Sequence, residues 1–182
     1  MQIIGISGSP RKGNTEWMLE KFMQYAAQNG AVTETLLLRK MDVRQCRGCL
    51  SCEKGGRQRP GICVIKDDMT GVYPRLLKAD ALVLASPAYF GMLSGLLKNF
   101  LDRTTPIWPY LAGKTVAGLA VAEEGTGQTI QNFKHYAALC QMSWAGSVTV
   151  LAKMPGDAAR NSRLPARLER LARKLVSSGP RR

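Results

Sequence analysis

The sequence predicts an α/β fold, a doubly wound parallel sheet of five strands with helices on both faces. Short β-branched and leucine-rich runs alternate along the chain with stretches of helical periodicity, the mark of successive βαβ units. The first strand-like run is apolar at nearly every position, as a strand covered on both faces must be. A length of 182 residues suits a single domain over 1–182, long enough to bury a core without metal or disulfide staples.

Taken in order, "QIIGIS" reads as the first strand, and a helix opening near Asn14 sets Leu19, Phe22 and Ala26 on one face. "VTETLLL" is the second strand and leads into a cysteine loop at 46–63. Met69, Val72, Tyr73, Leu76 and Leu77 then form a helical stripe that Pro74 is expected to kink or split. "ADALVLASP" is the third strand. Leu93, Leu96, Leu97, Phe100 and Leu101 follow at i, i+3, i+4, i+7 and i+8, the cleanest helical spacing in the chain. "KTVAGLAVA" and "GSVTVLA" are the fourth and fifth strands, separated by a stripe of Ile130, Phe133, Ala137, Cys140 and Trp144. Cys140 falls in that stripe and reads as a buried apolar residue. An Arg-rich amphipathic helix over about 163–176 turns Leu164, Leu168, Leu171 and Leu175 inward. Crossovers in such a sheet are right-handed, and a ligand belongs at the carboxyl ends of the strands beside the switch point.

The formal charge of +13 is unevenly placed. Residues 39–66 carry eight Lys/Arg against two acids, and residues 153–182 carry nine against two, so the remaining body is neutral. Such flanks are either solvated faces or a surface that steers an acidic partner. No aromatic-interleaved basic motif or nucleic-acid module is visible, which argues against nucleic acid. The N-terminus "MQIIGISGSP" lacks the charged and apolar regions of a secretory signal, and no apolar run is long enough to span a bilayer. A cytoplasmic protein is expected, and there clustered cysteines read as metal-binding or redox-active before structural disulfides.

Three loops after strands carry the chemistry. "SGSPRKGNTE" runs from the first strand into the first helix, with hydroxyls from Ser7, Ser9 and Thr15, the Asn14 amide, and Gly8 and Gly13 for close backbone approach. With the unpaired N–H groups of the helix start this makes an anion pocket suited to a terminal phosphomonoester, or else a turn that only caps the helix. "SPAYFG" after the third strand brings Pro87, Ala88, Tyr89, Phe90 and Gly91, a stiff turn with two aromatics for a flat ring. "AEEGTGQT" after the fourth adds Glu123, Glu124, Gly125 and Gly127. Phosphate, ring and ring-edge contacts would thus share one edge of the sheet. His135, the only histidine, lies off its helix stripe, and no general acid or base is assigned.

Cys46, Cys49 and Cys52 are spaced C-x2-C-x2-C, with Cys63 after ten intervening residues. Bacterial ferredoxins use that run for cubane clusters, whereas zinc prefers two separated C-x2-C knuckles. A [4Fe-4S] cluster, zinc, a redox disulfide and unmetallated thiols are the alternatives, with the cluster leading.

The segments "GISGSPRKGNTE", "SPAYFGMLSGLLKNFLDR" and "CRGCLSC…GICVIKDDM" together resemble the flavodoxin-like NAD(P)H-dependent FMN reductase family and, within it, the iron–sulfur flavoproteins. The resemblance reaches to about residue 150. It implies a flavodoxin-like fold and FMN held at its phosphate by Ser7, Ser9, Pro10, Arg11, Gly13, Asn14 and Thr15. Pro87, Ala88, Tyr89, Phe90 and Gly91 would run along the isoalloxazine, with Glu124, Gly125 and Gly127 at the third loop. It further implies NAD(P)H as co-substrate, a small electron acceptor such as a quinone, flavin or metal ion, and a homodimer or homotetramer. Cys46, Cys49, Cys52 and Cys63 would be the cluster ligands, although Cys63 comes later than the family's fourth cysteine, with Pro60 and glycines between to allow a closing turn. An alternative role is an electron carrier exchanging with ferredoxin or another acidic redox protein. Lys98, Asp102 and Arg103 match the family's helix motif and read as structural or interface groups.

Overall fold

The computed structural model describes residues 1–54 and 63–178. Its strands are β1 (Gln2–Ser7), β2 (Val32–Leu37), β3 (Ala81–Tyr89), β4 (Met92–Leu93), β5 (Thr115–Ala122) and β6 (Ser143–Leu151). The helices are α1 (Asn14–Gln28), α2 (Met69–Lys78), α3 (Gly95–Asp102), α4 (Gly127–Leu139), α5 (Asp157–Arg160) and α6 (Leu164–Ser177). Five strands pair in parallel in the order β2-β1-β3-β5-β6, and β4 folds back antiparallel on β3. The order reverses between β1 and β3, so the switch point lies at their carboxyl ends.

Both faces of the sheet are buried, and successive residues of one strand go to opposite layers. Ile3, Val83, Leu119 and Val148 pack with Met18, Leu19 and Phe22 of α1 and Leu168 and Leu175 of α6. Ile4, Ile6, Leu82, Leu84 and Val116 pack with Val72 and Leu76 of α2, Leu97 and Phe100 of α3 and Phe133 of α4. Among the described residues no helix is long and apolar enough to cross a membrane.

The structure corrects the expected element boundaries at three places. Pro74 does not split its helix: α2 runs unbroken through it. Pro74 and Thr70, one turn before it, are both exposed, so the carbonyl deprived of its intrahelical donor can be solvated. Leu93 is not helical but pairs with Ala88 across the β3–β4 turn, and α3 opens two residues later behind Ser94. Trp144 belongs to β6, not to the preceding helix, and the strand starts at Ser143 instead of Gly146. The stripe misleads because the Trp144 indole and Phe133 converge on one spot of β5, the place of Gly118. A Cβ there would lie 2.6 Å from the Phe133 ring and 2.8 Å from Trp144. Gly118→Ala is therefore expected to lower unfolding free energy by about 1–3 kcal/mol through overpacking, read as an earlier midpoint in urea denaturation.

Candidate functional site

The loop from β1 into α1 is shaped by short local bonds. The Gly8 N–H donates to the Ala85 carbonyl at 2.8 Å, and the Ser94 hydroxyl donates to the Gly8 carbonyl at 2.6 Å. A Cβ on Gly8 would stand 2.5 Å from that of Leu97, so only glycine lets β1 end this close to α3. The Ser9 hydroxyl donates to the Arg11 carbonyl at 2.6 Å and accepts the Arg11 N–H at 3.4 Å. The Ser7 hydroxyl accepts the Ser9 N–H at 3.4 Å. From Lys12 to Glu16 the backbone N–H groups make no hydrogen bond to the described residues, and α1 has no side-chain cap. A row of free N–H groups at the positive end of a long helix is an anion cradle. Ser7, Ser9 and Thr15 are buried beside it, while Pro10, Arg11 and Lys12 are exposed at its lip.

Glu16 would set a negative charge in the same first turn, but Arg39 takes its carboxylate in a two-point contact at 2.6 and 3.2 Å. Asn14 does something the sequence does not announce. Its amide donates to the Met154 carbonyl at 2.9 Å, and its oxygen accepts the N–H groups of Gly156 and Ala158 at 3.0 and 3.2 Å. The side chain is spent on holding the β6–α5 loop across the start of α1.

At the end of β3, Tyr89 pairs with Met92 around a two-residue turn in which Phe90 has φ +49° and Gly91 φ +75°. Positive φ at both central residues gives the tight hairpin whose twist matches its strands. Pro87 and Ala88 lie within β3, Tyr89 is partly exposed, and the Phe90 ring stands fully in solvent. The Thr129 hydroxyl of α4 fixes the turn through the Gly91 carbonyl at 3.0 Å. Glu123, Glu124 and Gly125 form the exposed connection from β5 to α4, which begins at Gly127, and Glu123 pairs with Lys153. The three loops thus follow the adjacent strands β1, β3 and β5 on one edge of the sheet.

Ser94 is the residue that sequence reasoning missed here. It caps α3 by accepting the Leu97 N–H at 3.2 Å, donates to Gly8, and gives its own N–H to the Ser86 hydroxyl at 3.0 Å. The only signal for it was a serine just before an apolar helical run.

The cysteine loop hangs from the same edge, after β2. Its neck is closed by Asp42–Arg44 lying along Asp67–Asp68: Asp68 N–H donates to the Asp42 carbonyl at 3.1 Å, Asp42 N–H to the Asp68 carboxylate at 2.8 Å, and Arg44 N–H to the Asp67 carboxylate at 2.9 Å. From α3, Asn99 donates to the Val43 carbonyl at 2.6 Å and Arg103 to the Arg44 carbonyl at 2.7 Å. Arg103 and Asp67 form a buried two-point ion pair at 2.5 and 3.0 Å. Cys46 and Cys49 are exposed, and Cys52 and Cys63 are half-buried. Hydrogen bonding from Ser51 holds the Cys49 thiol below its ordinary value. Burial, followed by the neighbouring Cys63, Glu53 and Cys46, pushes Cys52 up. Among the described residues no three His, Cys, Asp or Glu side chains converge on a single ion. Arg57, Arg59 and Pro60 of this loop lie outside the described residues.

Comparison with known proteins gives this edge its context. The sequence profile of the NADPH-dependent FMN reductases matches residues 1–155. The chain belongs to that family. It is similar to an iron–sulfur flavoprotein of Methanocaldococcus jannaschii, 35% identical over 171 residues and covering 86% of each chain. An iron–sulfur flavoprotein of Methanosarcina thermophila is 33% identical over 74% of this chain and 73% of its own. Among solved structures, the apo form of an NADH:FMN oxidoreductase superposes with a TM-score of 0.75 at 19% identity, over 100% of this chain and 91% of that one. The Megasphaera elsdenii flavodoxin does so with a TM-score of 0.62 at 18% identity, over 96% and 99%. The flavodoxin-like fold expected from the sequence is therefore the fold observed, and the chain is an FMN-dependent oxidoreductase.

In this reductase burial alone would raise the Asp67 carboxyl, but the Arg103 guanidinium and the N–H groups of Arg44 and Met69 outweigh it and hold it below the usual carboxylate range. A depressed folded pKa contributes stability that is complete above the unfolded value, about 3.9, and lost as pH falls through the folded one. Denaturation midpoints should fall as the medium is acidified below about pH 4. Asp67→Asn should flatten that dependence and cost about 3–5 kcal/mol at neutral pH, because it leaves Arg103 buried without its counter-charge.

Proposed function

We propose that this FMN-dependent oxidoreductase draws electrons from NAD(P)H and passes them to a small acceptor such as a quinone, a flavin or a metal ion. The observation that carries the reading is the run of free N–H groups from Lys12 to Glu16 on the edge that also bears the β3 and β5 loops. That cradle, with the hydroxyls of Ser7, Ser9 and Thr15, fits a terminal phosphate, and Pro10, Arg11 and Gly13 complete its rim. Asn14 supports it by its backbone N–H and by bracing the neighbouring loop. Pro87, Ala88, Tyr89, Phe90 and Gly91 would flank a flat ring, and Glu124, Gly125 and Gly127 its edge. Cβ positions on Gly13, Gly91, Gly125 and Gly127 meet nothing within 4 Å, which leaves room for ligand against bare backbone. Bound there, FMN supplies the redox chemistry: it accepts hydride and releases electrons singly or in pairs. The chain's own work is to orient the reactants and to shield them from water, and no side chain is assigned as acid or base.

Four thiols on one loop, one of them 3.6 Å from the Arg103 guanidinium, are by chemistry a donor set for a [4Fe-4S] cluster, in which each thiolate ligates a different iron. Cys46, Cys49, Cys52 and Cys63 would hold it, and the relatives' naming as iron–sulfur flavoproteins supports this. A second reading, exchange of electrons with ferredoxin or another acidic redox protein, is favoured by exposed Arg44, Arg47 and Lys54 around the thiols. A homodimer or homotetramer is supported by an apolar groove of ≈ 750 Å³ between α3 and α4, lined by Leu93, Leu101, Trp108 and Leu139. A cytoplasmic location would keep these thiols reduced.

The purified protein should release FMN and no FAD on denaturation and should oxidise NADPH or NADH with quinone in steady state; failure with both nucleotides would leave the carrier reading. Thr15→Ala should weaken FMN binding roughly ten- to a hundredfold, by loss of one hydrogen bond to a charged group, as measured by fluorescence titration. Protein prepared without oxygen should carry about four irons and four sulfides per chain. A flavin-only protein after reconstitution would remove the cluster. Electron transfer to ferredoxin should slow as salt screens the basic flank over about 8–10 Å, while quinone reduction should not.

A further inference from the structure

Arg103 is the largest fully buried side chain among the described residues, 1% exposed, and its guanidinium reaches a sulfur as well as a carboxylate and a carbonyl. Nη1 donates to Asp67 Oδ2 at 2.5 Å and to the Arg44 carbonyl at 2.7 Å. Nη2 donates to Asp67 Oδ1 at 3.0 Å and reaches the Cys63 sulfur at 3.6 Å. Nε is buried and has no partner among the described residues, an unspent donor in the same pocket. Guanidinium is planar and rigid, so contacts to Asp67 and Arg44 fix the direction of the N–H aimed at Cys63. Asp67 cancels the charge of Arg103 through its two-point contact, and the Tyr73 hydroxyl donates to the Arg103 carbonyl at 2.9 Å. What Cys63 receives is therefore a directed N–H from a neutral pair, not a net positive field.

We propose that Arg103, braced by Asp67, is the positioning residue that seats Cys63 as the fourth sulfur ligand of the cysteine loop and, through its N–H to that sulfur, raises the reduction potential of the cluster held there. The proposal rests on the cluster reading above. The other three cysteines share one short run, Cys46 to Cys52, whereas Cys63 arrives from the far end of the loop and needs an external anchor to face them. Hydrogen bonds to cluster sulfurs favour the more negative, reduced state and so make the potential less negative. Groups beyond the direct ligands commonly set both ligand orientation and electronic properties in this way.

The test uses the full-length, FMN-loaded protein. Arg103→Lys keeps a cation against Asp67 but lacks the fork that reaches Asp67, Arg44 and Cys63 together. Arg103→Met combined with Asp67→Asn leaves no buried charge uncompensated and serves if the lysine variant does not fold. Two quantities are read, with FMN binding as the check on folding. In iron-free protein, alkylation of Cys63 is followed by peptide mass mapping at a pH high enough that thiol ionisation no longer limits the rate; it should speed up roughly tenfold in the variants, the weight of one lost hydrogen bond, while Cys49 keeps its rate. In reconstituted protein, the cluster midpoint should move negative by about 59 mV, a tenfold change in a one-electron equilibrium. An unchanged Cys63 rate, or a cluster of full iron content at an unmoved midpoint, overturns the proposal. If the wild type takes up no iron at all, the cluster reading fails separately, and the alkylation rates still decide whether Arg103 seats Cys63.

Discussion

The buried ion pair between Arg103 and Asp67 organises more of this molecule than any other contact. Taking two charges out of water is expensive, and the cost is recovered only when geometry is good and other lone pairs and protons are satisfied. Here Asp67 accepts two N–H groups from Arg103 and one each from Arg44 and Met69. An apolar pair of similar volume would serve stability as well. It would not hold the two backbone segments of the loop neck together, start α2 and present an N–H to Cys63 at once. The pair thus fixes which way a long, basic loop hangs from the sheet edge.

Helix α3 extends that role across the site. Its N-terminal cap, Ser94, grips the backbone of the β1–α1 loop at Gly8 and the end of β3 at Ser86. Asn99 grips Val43, and Arg103 just beyond the last turn grips Arg44 and Asp67. Eight helical residues span about 12 Å at 1.5 Å each, so one short rigid rod sets the spacing between the anion cradle and the cysteine loop. The separation of those two loops is thus built into a helix, not left to a flexible connection.

The architecture was legible from the sequence because it is written in long-range hydrophobic pattern. All five parallel strands and the main helices follow from apolar runs and stripes, and Leu164, Leu168, Leu171 and Leu175 face inward as their spacing requires. What misled was local. Leu93 and Trp144 satisfied a helical period by coincidence, since strand residues at either side of a helix can pack on the same layer. Pro74 was judged by backbone propensity, yet its position is solvent-facing. The candidate site could be assigned to loops, as "SGSPRKGNTE" and the cysteine run carry unusual composition, and those loops do share one sheet edge, but side-chain partners were not legible. Asn14 looked like a ligand-binding amide and is bonded to the Met154–Ala158 loop; Ser94 looked ordinary, and Arg103 read only as a structural or interface group with no partner in view, yet both hold the edge together. Hydrogen bonds between residues far apart in sequence leave no periodic trace.

The Asn14 clamp has a thermodynamic corollary. The family profile ends at residue 155, yet the bonds of this side chain reach Gly156 and Ala158, and α6 behind them packs on α1. The segment from Gly156 onward is therefore coupled to the N-terminus of α1. By linkage, whatever an anion gains from an ordered α1 terminus it returns as tighter docking of the C-terminal segment, by the same factor. An anion seated there and the tail would be reciprocal ligands of one helix end, and part of the chain's rigidity would come only with loading.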